Sequence, residues 1–353
     1  MRRHGNLFDQ LISLDNLRAA DETARKGKVR SYGVRLHDKH REQNLLALHE
    51  MLKAGTYKPS PYSTFTIHEP KERLIFRLPY FPDRIVHHAI MRVVTPIWTK
   101  LIDRDAYCGI PGRGIQAAAD RVKEFLRKHP EECRYCLKID IRKFYPSVDH
   151  DILKGLVRWK LKDRRVIALI DDLIDSAEGI PIGNHPSIFL ALLYFARFIA
   201  WLRQKKKVRL LVDYADDLVI FSSSKQWLRA LLQDIEDYLA RELKLEVKAN
   251  KQIFPVAETH RDKHGRGVDF LGYVFYLRET RLRKGIKKNF ARAVAGMRKA
   301  KRPLSEAAFL QRCASWWGWC CHSDSKYFVQ KLNKTSPYEI QFKRKAANNS
   351  RPG

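Results

Sequence analysis

Residues 208–221, VRLLVDYADDLVIF, form an apolar run broken at its centre by three carboxylates, Asp213, Asp216 and Asp217. Strand-forming Val, Leu and Ile flank a Tyr-Ala-Asp-Asp core of the kind a tight turn tolerates, so the pattern predicts two buried strands around a hairpin turn. A second apolar strand, in LKIDIRKFYPSVD at 137–149, carries Asp140 and breaks at Pro146. A buried, unpaired carboxylate costs on the order of several kcal/mol. A chain that buries three of them together must therefore neutralise them or hold a cation there.

Carboxylate oxygens suit Mg²⁺, which keeps some waters and completes its shell with substrate phosphates. Two such ions can clamp the attacking and leaving oxygens of an in-line phosphoryl transfer. Asp213 falls on the opposite face of its strand by period-2 counting, which takes it out of that cluster. Asp favours turns, so an isolated Asp-Asp pair is ordinarily structural. The constellation is more specific: Asp140 lies five residues before Tyr145, and Tyr-Ala-Asp-Asp follows some seventy residues later between apolar runs.

The charge is the second constraint. The formal net charge of +29 exceeds what solubility needs and would repel itself without a polyanion. The cations are spread through the chain and interleaved with aromatics, which suits a folded groove for nucleic acid. The N-terminus MRRHGNLFDQ lacks a signal peptide's apolar stretch, and the longest apolar run, SIFLALLYFARFIAWL, is interrupted by Arg197. A cytoplasmic protein that does not enter the membrane is expected, its six cysteines free thiols. One C-x-x-C, Cys133 to Cys136, has no second pair at zinc-site spacing.

Along the chain, helices are expected over the first sixty residues, with Leu45, Leu48 and Leu52 on one face. A two-stranded ribbon follows, its turn carrying Lys71 and Arg73. Further helices should fill 150–178 and 185–203, VDFLGYVFY reads as a strand, and the tail is basic and helical. Strands that do not alternate regularly with helices favour α+β over a doubly wound sheet.

Taken together these blocks resemble the reverse transcriptases of bacteria and group II introns. The resemblance spans roughly residues 40 to 330 and rests on PKERLIFRLPYFPDRIVHHAI, YCGIPGRGIQAA, LKIDIRKFYPSVD, GIPIGNHPS, YADD and VDFLGYVF in that order. It implies a right-hand polymerase: N-terminal helices and fingers with the start of the palm over 1–130, a palm with an antiparallel sheet over 131–277, and a basic helical thumb over 278–353. It implies two Mg²⁺ ions held by Asp140, Asp216 and Asp217 with the carbonyl of Ile141. Nucleotide contacts would come from Lys71, Arg73, Arg142, Tyr145, Ile182, Gly183 and Lys251, with Tyr145 as the ring that excludes a 2′-hydroxyl. Phe270, Leu271, Gly272 and Tyr273 would hold the primer end. Trp316, Trp317 and Trp319 fit thumb packing better than base stacking.

The implied partners are an RNA template, a structured non-coding RNA by preference, a DNA or RNA primer, and dNTPs; an accessory protein, a second reverse transcriptase and an oligomer stay open. Within the family, the blocks look most like diversity-generating retroelements. Ile188 departs from them, standing where that group has Gln, and this favours defence-associated enzymes that copy a cognate RNA during phage infection. A catalytically idle RNA-binding scaffold is the alternative of another class.

Overall fold

A computed structural model of the chain describes residues 3–68 and 72–341. These residues gather into two compact units, each drawn from three separated stretches. One takes the chain up to Arg113 with Lys138–Leu218 and Arg229–Lys251; the other takes Gly114–Leu137, Val219–Leu228 and the chain from Gln252 onward.

The first unit opens with α1 (Phe8–Ile12), α2 (Leu14–Ala24), α3 (Tyr32–Asp38) and α4 (Arg41–Lys53). Helix α4 buries Leu45, Leu48 and Leu52, the face that its spacing marked out. The ribbon follows as β1 (Ser63–Ile67) and β2 (Arg73–Arg77), antiparallel with Phe65 opposite Ile75. Arg73 opens β2, paired with Ile67, and so belongs to the strand instead of the turn; Lys71 lies outside the described residues. Helix α5 (Ile85–Trp98) is apolar on most sides, mostly buried, and packed along α2.

Next in the chain come α6 (Ile115–Lys128), which belongs to the second unit, and β3 (Tyr135–Asp140). Helices α7 (His150–Lys160), α8 (Arg164–Ile174) and α9 (Ser187–Gln204) precede β4 (Leu211–Tyr214) and β5 (Asp217–Ser222), and α10 (Lys225–Leu243) leads to β6 (Gln252–Pro255). The four strands form one sheet in the order β4-β5-β3-β6. A link of only Ala215 and Asp216 between β4 and β5 forces that pair antiparallel. Ala215 takes a φ of 61°, the left-handed conformation that two-residue hairpin turns need at their first central residue. Helix α9 has the length and apolarity of a membrane span, but 67% of it is buried inside the protein, so Arg197 interrupts a core helix.

The rest of the second unit is a three-stranded antiparallel sheet, β7 (Val268–Phe270), β8 (Tyr273–Phe275) and β9 (Thr280–Leu282), with α11 (Lys284–Arg298), α12 (Glu306–Cys321) and α13 (Lys326–Asn333). The segment VDFLGYVFY is thus two strands where the sequence suggested one. Leu271 (φ 50°) and Gly272 (φ 83°) both adopt the left-handed conformation and reverse the chain.

One carboxylate in the first unit secures two helix starts. Oδ2 of Asp163 accepts from the Leu7 and Phe8 N–H groups at the start of α1, 2.7 and 3.0 Å away. Oδ1 accepts from Arg165 and Val166 at the start of α8, 3.2 and 3.3 Å away. Burial pushes this carboxyl up, but the backbone donors more than reverse that and leave it below the usual range. Its contribution is therefore present above the usual carboxylate range and is lost as pH falls below it. Asp163→Ala should lower unfolding free energy by about 2 kcal/mol, one lost cap at each helix; a urea midpoint within error of wild type would remove Asp163 from this role.

Candidate active site

Asp140 closes β3, Asp216 sits in the β4–β5 turn, and Asp217 opens β5. The three act on one another. Burial raises the Asp216 carboxyl, and the charges of Asp140 and then Asp217 raise it further, to about 6. Asp140 is 16% exposed at its side chain; its Oδ2 accepts from Lys248 Nζ at 2.5 Å, and its buried Oδ1 has no hydrogen-bond partner among the described residues. Ile141 beside it is fully buried and bridges Val247.

As the side chains stand, no three His, Cys, Asp or Glu groups among the described residues are gathered closely enough to hold one metal ion. Asp140 is instead drawn to Lys248. The donor set nevertheless fits a hard divalent cation. All three groups are carboxylates, one buried oxygen lacks a donor among the described residues, and burial and then two like charges hold the Asp216 carboxyl up.

Asp213, which strand alternation assigned to the opposite face, is nevertheless within reach of the Asp216 charge. It is 1% exposed, with Oδ1 unpartnered among the described residues. Burial and then the charge of Asp103 hold its carboxyl well above the usual range. Beneath it Arg203 donates to Asp103 at 2.9 and 3.1 Å and to Asp105 at 2.8 Å, a network that the sequence did not announce.

Tyr145 follows β3 in a short 3₁₀ turn. Burial raises its hydroxyl, the charges of Cys108 and Asp216 add to this, and Arg73 opposes it, so the ring lies within electrostatic reach of the candidate catalytic and nucleotide-binding groups. The loop 179–187 is pinned on both sides. Ile180 donates its N–H to Tyr145 O at 2.8 Å, and Ile182 O accepts from Phe76 N–H in β2 at 2.8 Å. At Gly183 (φ 118°) a Cβ would stand 2.6 Å from Phe76 O, so only glycine lets the loop approach the strand. Ile188 packs against Gly109, where an added Cβ would lie 2.2 Å from Ile188 Cγ2.

Other expected nucleotide contacts are engaged elsewhere. Arg142 pairs with Glu246 at 2.8 Å, and Lys251 is bonded to Glu236. The lysine of this segment that reaches the aspartates is Lys248, which sequence reading passed over.

The four residues expected to hold the primer end, Phe270 to Tyr273, belong to the second unit. Phe270 and Tyr273 are fully buried, and Tyr273 packs against Trp319 with ring centroids 5.1 Å apart. A Cβ at Gly272 would lie 2.6 Å from the Trp319 ring and 2.7 Å from Ile286 Cδ1. Trp316 stacks on Phe290 at 5.5 Å. Trp316 and Trp319 thus serve packing, as their spacing suggested.

Residues 66–275 match the profile of the family described as Reverse transcriptase (RNA-dependent DNA polymerase). The chain belongs to the reverse transcriptase family, and its α+β architecture is the right-hand polymerase fold expected of that family. Protein YkfC of Escherichia coli K12 is 26% identical over 174 residues, 46% of each chain. The group II intron-encoded protein LtrA of Lactococcus lactis subsp. cremoris is 24% identical over 181 residues, 46% of this chain and 29% of that one. The chain therefore spans less than half of the curated relatives it matches. Among solved structures, the apo telomerase of Candida tropicalis aligns at a TM-score of 0.49 and 11% identity, over 85% of this chain and 65% of that one.

The electrostatics predict a pH signature. An acid whose folded pKa is raised gives stability that is complete below its unfolded pKa, near 3.8, and lost as pH rises through about 6. Asp216→Asn should therefore stabilise the metal-free protein by roughly 1–3 kcal/mol at pH 8, a gain that vanishes near pH 4. Denaturant midpoints across that range measure it, and an equal shift at both ends would contradict the burial of charge at Asp216.

Proposed function

We propose that this chain copies an RNA template into DNA, joining deoxynucleotides at a site built on Asp140, Asp216 and Asp217. The observation that carries this reading is the mutual repulsion of these carboxylates at the start of β5 and the end of β3, within a chain of the reverse transcriptase family. Asp140, Asp216 and Asp217 would hold two divalent ions, with Mg²⁺ favoured by the all-oxygen donor set and the Ile141 carbonyl as a further ligand. When bound, such a pair neutralises charge on the attacking and leaving oxygens of phosphoryl transfer.

The remaining work falls to the chain's own groups. Arg73 projects from the start of β2 on the exposed ribbon and would pair with the nucleotide's phosphates, with Lys71 beside it in sequence. Arg142 and Lys251 would join them only by exchanging their present carboxylate partners. The Tyr145 ring, packed edge-on against Phe144 and with its backbone carbonyl accepting from Ile180 N–H, would close the space beneath the sugar and reject a 2′-hydroxyl. Ile182 and Gly183, fastened to β2, would lie against the templating base pair. The Leu271–Gly272 turn between Phe270 and Tyr273 would meet the primer end. In this reading residues 1–130 supply fingers and the start of the palm, 131–277 the palm and 278–353 the thumb.

The biological role that we favour is the copying of a cognate structured RNA in anti-phage defence, in the cytoplasm. Ile188 supports it over mutagenic retrohoming, because retroelement enzymes of the resembling group carry Gln there. Ile182, Gly183 and Ser187 keep the retroelement reading alive, since they match that group's pattern.

Purified protein given its co-purifying RNA, Mg²⁺ and dNTPs should extend a primer, and Asp216→Asn should reduce product by more than a hundredfold. Undiminished product in that variant would sink the assignment, and absence of product from the wild type would favour an idle scaffold. Tyr145→Ala should admit rNTPs that the wild type rejects; equal rNTP use by both would remove the ring from sugar selection. RNA affinity should fall with salt on a log-log slope steeper than about −3, which at about −0.7 per phosphate means four or more contacts. A slope near zero would exclude a polyanion groove.

A further inference from the structure

Lys248 stands opposite Asp140 because the backbone puts it there. Its N–H donates to Asp140 O at 2.8 Å, Arg142 N–H donates to Glu246 O at 2.8 Å, and Ile141 bridges Val247 antiparallel between them. Directly opposed residues of an antiparallel pair project on the same face. The lysine stem therefore leads to the carboxylate, and Nζ reaches Oδ2 at 2.5 Å. Two other lysines and arginines of the neighbourhood, Arg142 and Lys251, are paired with Glu246 and Glu236. Lys248 thus puts a positive charge directly on the carboxylate cluster.

We propose that Lys248 is the resident counter-ion of the carboxylate site, occupying at Asp140 the place of a divalent cation, so that cation binding displaces it. The inference rests on the reading of Asp140, Asp216 and Asp217 as a cation site. Geometry permits the exchange. Lys248 keeps 32% of its side chain exposed, and its four-carbon stem can turn the ammonium into solvent without disturbing the backbone pairing. The exchange also explains why the three carboxylates are not gathered on one point: Asp140 is engaged by a single charge from one side. A divalent ion brings twice that charge, but must first break a charge-assisted hydrogen bond. The lysine therefore raises the cation concentration at which the site fills, and it neutralises Asp140 while the site is empty.

The test is a titration of the purified protein with Mn²⁺, following free ion by electron paramagnetic resonance, with Asp140→Asn defining the binding due to the site. Lys248→Met should lower the Mn²⁺ midpoint about fivefold, roughly 1 kcal/mol. It should also lower the melting temperature in chelator while leaving that in saturating Mn²⁺ near wild type. Lys248→Arg, which keeps the charge at Asp140, should stay within about twofold of wild type, the scale of an exposed ion pair's variation. Three results overturn the proposal while leaving the cation site intact: an unchanged midpoint in Lys248→Met, equal tightening in Lys248→Arg, or equal tightening in Lys251→Met, which would mark a diffuse charge effect. Absence of Mn²⁺ binding sensitive to Asp140→Asn in the wild type overturns both this proposal and the cation-site reading beneath it.

Discussion

Like charges that cannot move apart organise the centre of this molecule. Asp216 cannot retreat from Asp140 and Asp217, because the β4–β5 turn is two residues long and β5 lies next to β3 in the sheet. The turn itself holds Ala215 in a left-handed conformation that costs an L-residue roughly 1 kcal/mol. Strain and repulsion are thus concentrated at the same three or four residues. That is expected where a fold gives up local stability to hold groups ready for a ligand.

The surroundings offset this stress in two ways. Toward solvent, Lys248 answers Asp140 with a single positive charge. Toward the core, burial and the charge of Asp103 hold the Asp213 carboxyl well above the usual range, while Arg203 ties Asp103 and Asp105 together with the carbonyls of Val208 and Arg209. Two aspartates three residues apart are therefore both held above the usual carboxylate range. Burial leads at both, with Asp140 and Asp217 adding to it at Asp216 and Asp103 and Asp216 adding to it at Asp213.

Much of the site could be read from the sequence, because a carboxylate inside an apolar run is conspicuous. Asp140, Asp216 and Asp217 stood out by that contrast, and period-2 counting separated Asp213 from them. Lys248 did not stand out. A lysine in VKANKQIF looks solvated, and its partner lies 108 residues earlier, in a register that local sequence does not encode. The two strands around Leu271 and Gly272 merged into one for a related reason: leucine rarely adopts a positive φ, so nothing at that position announced a turn. The apolar α9 was legible as a helix, but its burial by neighbours from distant parts of the chain was not.

The pinning of Gly183 and Ile182 to Phe76 has a mechanical result. Arg73 and Phe76 lie three residues apart on the same short strand, and the backbone of that strand is fastened to the loop before α9. Tilting the ribbon to meet a phosphate would carry the loop with it. In the function proposed above, the charged tail and the base of an incoming nucleotide would thus be sensed through one connected piece of backbone.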